Sequence, residues 1–220
     1  MTDPVTVGTA LLAHIEPHPG QARAFNAWYE RDHFYANAMA GPGMYAGARW
    51  VATRACKRTR LSGDLLGGSY LATYWILPDR QAEWDEWSAR EYARTPPDRL
   101  FAGRDHVHTG IYRFVFDLRT EGAPPPATAL DHGFAGVVEV GGNADEVEAW
   151  AHHVLGPDVP LVMVFASQRT VLSDLNPGDH YVALGFCSDD PLAVPLPETA
   201  GFASAYIATV PGTDRYVDDL

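Results

Sequence analysis

The densest chemistry in the chain lies in Ala27-Trp28-Tyr29-Glu30-Arg31-Asp32-His33. Gly41-Pro42-Gly43 comes next, then Tyr45-Ala46-Gly47-Ala48-Arg49-Trp50. This order reads as a helix with a histidine near its end, a break, and a strand with an arginine. Phe25, Tyr29 and His33 recur at i, i+4 and i+8, so they share one helix face. An imidazole at the edge of an apolar pocket titrates near neutrality and serves as general acid or base. The structural alternative is a histidine bonding the free carbonyls of a helix end. Arg49 falls mid-strand, where an unpaired cation is costly. It therefore needs a carboxylate such as Asp32, or an anionic substrate oxygen that it would hold during catalysis.

Other histidines offer partners for His33. His106 and His108 lie two apart on a strand and are expected to share a face with Tyr112. His108, deeper in the strand, is the better catalytic candidate. His14 ends the first strand on the face of Ala10 and Leu12 and could line the pocket. Tyr74 and Trp75 point to opposite faces, one toward the pocket and one toward the core. Trp50 has the same two options. Tyr29, Trp50, Tyr74, Tyr112 and His14 are thus the candidate substrate contacts. Two histidines at this spacing could hold a metal only with a third ligand, and none is fixed, so no metal is expected. Gly141-Gly142 lacks the third glycine of a dinucleotide site. No P-loop, Gly-x-Ser-x-Gly or His-Glu-x-x-His appears.

These side chains need a scaffold. Thr6 to Ile15 reads as a strand, Gln21 to Met39 as a helix, and Met44 to Thr53 and Ser69 to Leu77 as strands. Asp79 is placed to cap a helix carrying Trp84 and Trp87, which Pro96-Pro97 ends. His106 to Leu118 is the fourth strand. After Glu121-Gly122-Ala123-Pro124-Pro125-Pro126 the pattern recurs: strand Gly133 to Val140, helix Ala144 to Leu155, and strands Leu161 to Val171, Asp179 to Cys187 and Ala203 to Val210. Pro191, Pro195 and Pro197 leave little room for a second helix in this half. The order β-α-β-β-α-β, met twice, is the split βαβ arrangement. A sheet with helices on one face must bury the other. Two ferredoxin-like units, 1–120 and 130–220, joined by a proline-rich linker at 121–129, can pack sheet to sheet as a pseudo-dimer.

Composition bounds the partners. The net charge is −12. Residues 1–120 hold 14 Lys and Arg against 13 Asp and Glu, whereas residues 121–220 hold 2 against 15. The acidic half repels phosphate backbones, which disfavours nucleic acid. Arg54, Lys57, Arg58 and Arg60 read as a solvated basic loop. No apolar run approaches the roughly 18 residues of a membrane helix, and Met1-Thr2-Asp3-Pro4 shows no secretion signal. Cys56 and Cys187 stand far apart, which fits a cytoplasmic protein with reduced thiols.

Trp28-Tyr29-x-x-x-His33, Pro42-Gly43, Ala48-Arg49-Trp50 and the strand Tyr70 to Tyr74 resemble the EthD-like proteins of the dimeric α+β barrel superfamily. The resemblance covers most of residues 5–118; the second half matches in pattern only, as a tandem copy. It implies an α+β fold with a pocket between the helices and the sheet of the first unit, where His33 and Arg49 match the family's helix histidine and strand arginine. The superfamily includes cofactor-free monooxygenases, polyketide cyclases, lactone isomerases and haem enzymes. The resulting expectation is a cofactor-independent enzyme acting on a hydrophobic, aromatic or polyketide-like small molecule. A non-catalytic binding or accessory protein is the alternative. A haem enzyme with His14, His33 or His108 as axial ligand is a further one. Whether the whole chain forms a homodimer stays open.

Overall fold

The computed structural model describes residues 4–62, 68–172 and 180–220. The opening residues 1–3 and Asp179, the expected start of a strand, lie outside the described residues. Among the described residues nine strands form one antiparallel sheet: β1 (Thr9–Pro17), β2 (Met44–Val51), β3 (Leu61–Ser62), β4 (Tyr70–Ile76), β5 (Arg104–Arg119), β6 (Gly136–Gly142), β7 (Leu161–Leu172), β8 (Tyr181–Cys187) and β9 (Phe202–Ala208). Their lateral order is β2-β4-β1-β5-β7-β8-β6-β9-β3, and β9 also pairs with β2, closing eight of them into a barrel. The four long strands of each half run in the same order: second, third, first, fourth.

The halves are expected to pack sheet to sheet as a pseudo-dimeric α+β barrel. A barrel is formed, and hydrogen bonds join the two halves edge to edge into one closed sheet. β5 is 16 residues long and pairs with β1 at one end and with β7 from Thr109↔Leu172 to Arg119↔Leu161. Closure is completed at Trp50↔Ala208 and Val51↔Ile207. Joining the edges satisfies main-chain groups that an open sheet would leave unpaired.

Alternation then builds two cores. Ala10, Leu12, Leu71 and Trp75 point into the barrel, where Trp75 meets Phe165 with ring centroids 5.5 Å apart. Leu11, Ala13, Ile15, Tyr70, Ala72 and Tyr74 point outward under the helices of the first half. Those helices are α1 (Ala22–Trp28), continued by a π-helical segment Tyr29–Met39, and α3 (Gln81–Arg94). Among the described residues the second half has one α-helix, α4 (Ala144–Val154), and it carries a full capping box between Asn143 and Glu146. Between β8 and β9 only a short 3-10 turn, Pro191–Ala193, is formed.

Two local expectations fail. Asp79 does not cap α3: its φ is 60° and Arg80 occupies the cap position. The basic run is not a free loop. It forms α2 (Arg54–Thr59), in which Arg54 donates to the carbonyls of Asp218 and Leu220, and Lys57 donates to Ser69 Oγ at 2.6 Å. Among the described residues, no helix is long and apolar enough to cross a membrane.

Candidate functional site

The helix that starts at Ala22 changes pitch at Tyr29. Its hydrogen bonds lengthen to i→i−5, as in Ala40 N–H to Tyr35 O at 2.9 Å. π-Helical turns are rare and concentrate at functional sites. Here the segment turns Tyr29, His33, Asn37 and Ala38 toward one cavity. It also lies close on β2, because Gly47 carries no side chain. A Cβ there would meet Tyr74 Cδ1 at 2.7 Å and Met39 Sδ at 2.9 Å.

The cavity holds about 320 Å³. Leu11, Ala13, Ile15 and Tyr74 form its floor, Tyr29 and His33 one wall, and Trp84 and Tyr92 of α3 another. Arg104 and His106 come from the start of β5. Arg169 reaches over from β7 and pairs with Asp85 of α3. Size and apolar character suit one small molecule.

Polar groups are few and specifically held. Trp28 stacks on His33 at 4.4 Å between ring centroids. Asn37 Nδ2 donates to His33 Nδ1 at 3.2 Å, which leaves the neutral ring's proton on Nε2. Burial, reinforced by the charge of Arg104 and by His106, pushes His33 down to about 3. His106, 3.2 Å from Thr109 Oγ1 through Nδ1, is pushed down to about 4 by burial and Arg104, against Asp105. Both imidazoles are therefore neutral at pH 7. Tyr29 Oη and Tyr74 Oη lie 2.6 Å apart, and burial raises both phenols. Arg104 sits 4.5 Å from the Trp28 ring centroid and donates to the Phe101 carbonyl. Its Nε is buried without a partner. A cation, neutral imidazoles and phenols around an apolar floor can take a proton from a weak acid and hold the anion that results.

The expected site residues divide between two places. His33, Tyr29 and Tyr74 line the cavity. His14, Trp50, His108 and Tyr112 do not; they point into the barrel. His14 Nε2 pairs with Glu139 Oε2 at 2.8 Å, and His108 Nε2 lies 2.8 Å from Tyr112 Oη. Trp50 Nε1 donates to Thr73 Oγ1 at 3.0 Å, and its ring meets Phe186. The expectation that His106 and His108 share a face fails for a specific reason. The β1–β5 register slips by one between His14↔His108 and Ile15↔His106. That bulge turns the two histidines to opposite faces.

Arg49 is buried behind the cavity wall, 7% exposed. Its partner is not Asp32, which is taken by Arg99. Arg49 donates to Asn26 Oδ1 at 2.7 Å and to Glu30 Oε1 at 3.4 Å. Its guanidinium lies 4.3 Å from the Tyr29 ring centroid and 4.9 Å from that of Tyr70. Sequence reasoning missed Asn37, Arg104 and Arg169. Only Asn37 had a visible signal, four residues beyond His33 on the same helix.

A solved "anthrone oxidase-like protein" superposes with a TM-score of 0.56 at 9% sequence identity, over 94% of this chain and 95% of the other. The two share a fold. At this identity the likeness speaks for the fold alone. A "Putative monooxygenase" from Fusobacterium nucleatum superposes at TM-score 0.49 and 8% identity over 93% and 94% of the two chains. Another from Lactobacillus acidophilus does so at 0.46 and 8% over 92% and 94%. No protein-family model and no curated protein matches the chain.

Proposed function

We propose that the chain is a cofactor-independent enzyme acting on a hydrophobic, aromatic or polyketide-like small molecule through histidine acid–base chemistry. One observation carries this reading: His33, His106 and Arg104 converge on an apolar cavity of about 320 Å³. His106, neutral and with Nδ1 on Thr109, offers Nε2 to accept a proton from an enolisable carbon or a phenol. Its electron pair moves to the ring oxygen. Arg104 and the Nε2–H of His33 hold that oxygen as charge develops. Cyclisation, isomerisation and elimination all use such an enolate. With dioxygen as co-substrate, a ring methylene flanked by aryl groups becomes a carbonyl and one water leaves; the name of the anthrone oxidase-like neighbour favours this case.

The same reading takes residues 1–120 and 130–220 as two ferredoxin-like units of a tandem duplication, EthD-like in the first, joined by 121–129. The shared lateral order of strands in both halves supports it. A cytoplasmic location accompanies this proposal, on the two buried free thiols Cys56 and Cys187.

The test is oxygen uptake and product analysis with 1,8-dihydroxyanthrone, alongside ligand titration. Turnover lost in His106→Ala and Arg104→Met is expected. Binding without turnover of any phenolic ketone points to the accessory-protein reading, and a Soret band in the purified protein points to haem.

A further inference from the structure

Arg49 is a buried cation that is not among the residues lining the cavity, yet three aromatic rings and two polar side chains are arranged around it. The guanidinium lies against Tyr29, Tyr70 and Phe25, at 4.3, 4.9 and 5.4 Å from their centroids. Asn26 accepts from Nη2 and itself donates to Tyr70 Oη at 2.9 Å. Glu30 accepts from Nη1 through one oxygen, and its other oxygen accepts from Gly212 N–H at 2.7 Å. Bonds from the Thr209 N–H and hydroxyl to the Arg49 carbonyl fix the strand at this point. The ring most closely covered by the cation is Tyr29, which lines the cavity together with Tyr74 and whose hydroxyl lies against that of Tyr74.

We propose that Tyr29, paired with Tyr74 and backed by Arg49, holds the acidic oxygen of the bound ligand, so that the cavity takes weakly acidic phenols and enols as their anions. Resting on the small-molecule reading of the cavity, it makes Arg49 a positioning residue that acts through Tyr29. Of two phenols 2.6 Å apart, one donates to the other. With Tyr74 donating to Tyr29, the Tyr29 proton remains for a ligand oxygen. A cation over the ring face favours negative charge on that phenol's oxygen and so strengthens the bond it donates. The groups facing Tyr29 agree in sign. Arg49 stands behind it and Arg104 across the cavity; His33, edge-on at 4.9 Å, is neutral. The nearby carboxylates are engaged: Glu30 by Arg49, Asp85 by Arg169 and by Gln81 Nε2 at 2.7 Å, and Glu91 by Arg94.

The test uses 4-nitrophenol, whose neutral and anionic forms differ in visible absorbance, titrated into the full-length protein across pH. The bound probe is expected to ionise at least about one pH unit below the free probe, a tenfold preference for the anion. Tyr29→Phe keeps the ring and the cation contact and removes the donor; it should abolish most of the shift. Arg49→Met should do the same, and Arg49→Lys should restore part of it. Thermal unfolding checks that each variant is folded, and Tyr29→Phe decides the matter if Arg49→Met is not. Binding with unshifted ionisation overturns the inference and leaves the cavity reading intact. A full shift retained in folded Tyr29→Phe or Arg49→Met also overturns it. No saturable binding of the probe overturns both.

Discussion

His14 and Glu139 are separated by 125 residues along the chain and by 2.8 Å in the barrel. The imidazole comes from β1 and the carboxylate from β6, and both are almost fully buried. Removing one partner of such a pair strands the other, which typically costs about 3–5 kcal/mol. His14→Ala and Glu139→Ala should each lower the midpoint of chemical unfolding strongly. The double replacement His14→Ala with Glu139→Ala should lose much less than the two single losses combined. Strict additivity in urea unfolding would show that the pair is not coupled.

His33→Ala should separate activity from stability. The side chain stacks on Trp28 and accepts one bond from Asn37, so its loss should leave a folded protein with a modestly lower Tm. Loss of a donor to a developing oxyanion typically costs about 10²–10³ in kcat. Steady-state kinetics with a turned-over phenolic substrate measures this, and an unchanged kcat would remove His33 from the mechanism.

Acid should destabilise the protein well before its carboxylates are protonated. His33, His106 and His108 are held down to about 3, 4 and 4, mainly by burial. Unfolding releases them to about 6.5. The unfolded chain then binds more protons than the folded one between these limits, so stability falls as pH drops from about 6.5 toward 4. Above that window the three histidines add no pH dependence. Tm measured from pH 8 to 4 should be flat and then decline, and His108→Phe should flatten part of the decline.

Gly47→Ala should damage the cavity without touching a polar group. The new methyl would lie 2.7 Å from Tyr74 and 2.9 Å from Met39. Overpacking of this kind costs about 1–3 kcal/mol. Either the π-helical segment moves off β2 or Tyr74 tilts, so weaker ligand binding should accompany the lower Tm. Wild-type Tm and affinity would show that the contact relaxes freely.

Much of the scaffold could be read from the chain because it rests on local patterns. The alternation in Tyr70–Ile76 and the Asn143 and Glu146 spacing each announce an element. The placement of Trp75 and Tyr74 on opposite faces comes from the pleat alone. What escaped depends on events that leave no local signature. A one-residue bulge near Val107 exchanges His106 for His108 at the cavity. The change from α to π pitch at Tyr29 comes with a close approach of Met39 and Phe34 to Gly47, a tertiary contact with no local signature. Arg49 takes Asn26 and Glu30 because Asp32 is turned toward Arg99. Arg104 and Arg169 reach the cavity only once β5 and β7 are joined, a contact between distant segments.

The two seams of the barrel are unequal. Between β5 and β7 the described ladder runs from Thr109 to Arg119, but β2 and β9 meet at only two residue pairs. A ring fastened so differently behaves as a clasp, with a hinge on one side and a catch on the other. Amide exchange should therefore begin at Trp50, Val51, Ile207 and Ala208 while the opposite seam stays protected. Arg49 is the next residue to that catch and Thr209 is bonded to it. Unfastening would release the cation behind Tyr29, so ligand occupancy and the integrity of the ring should rise and fall together.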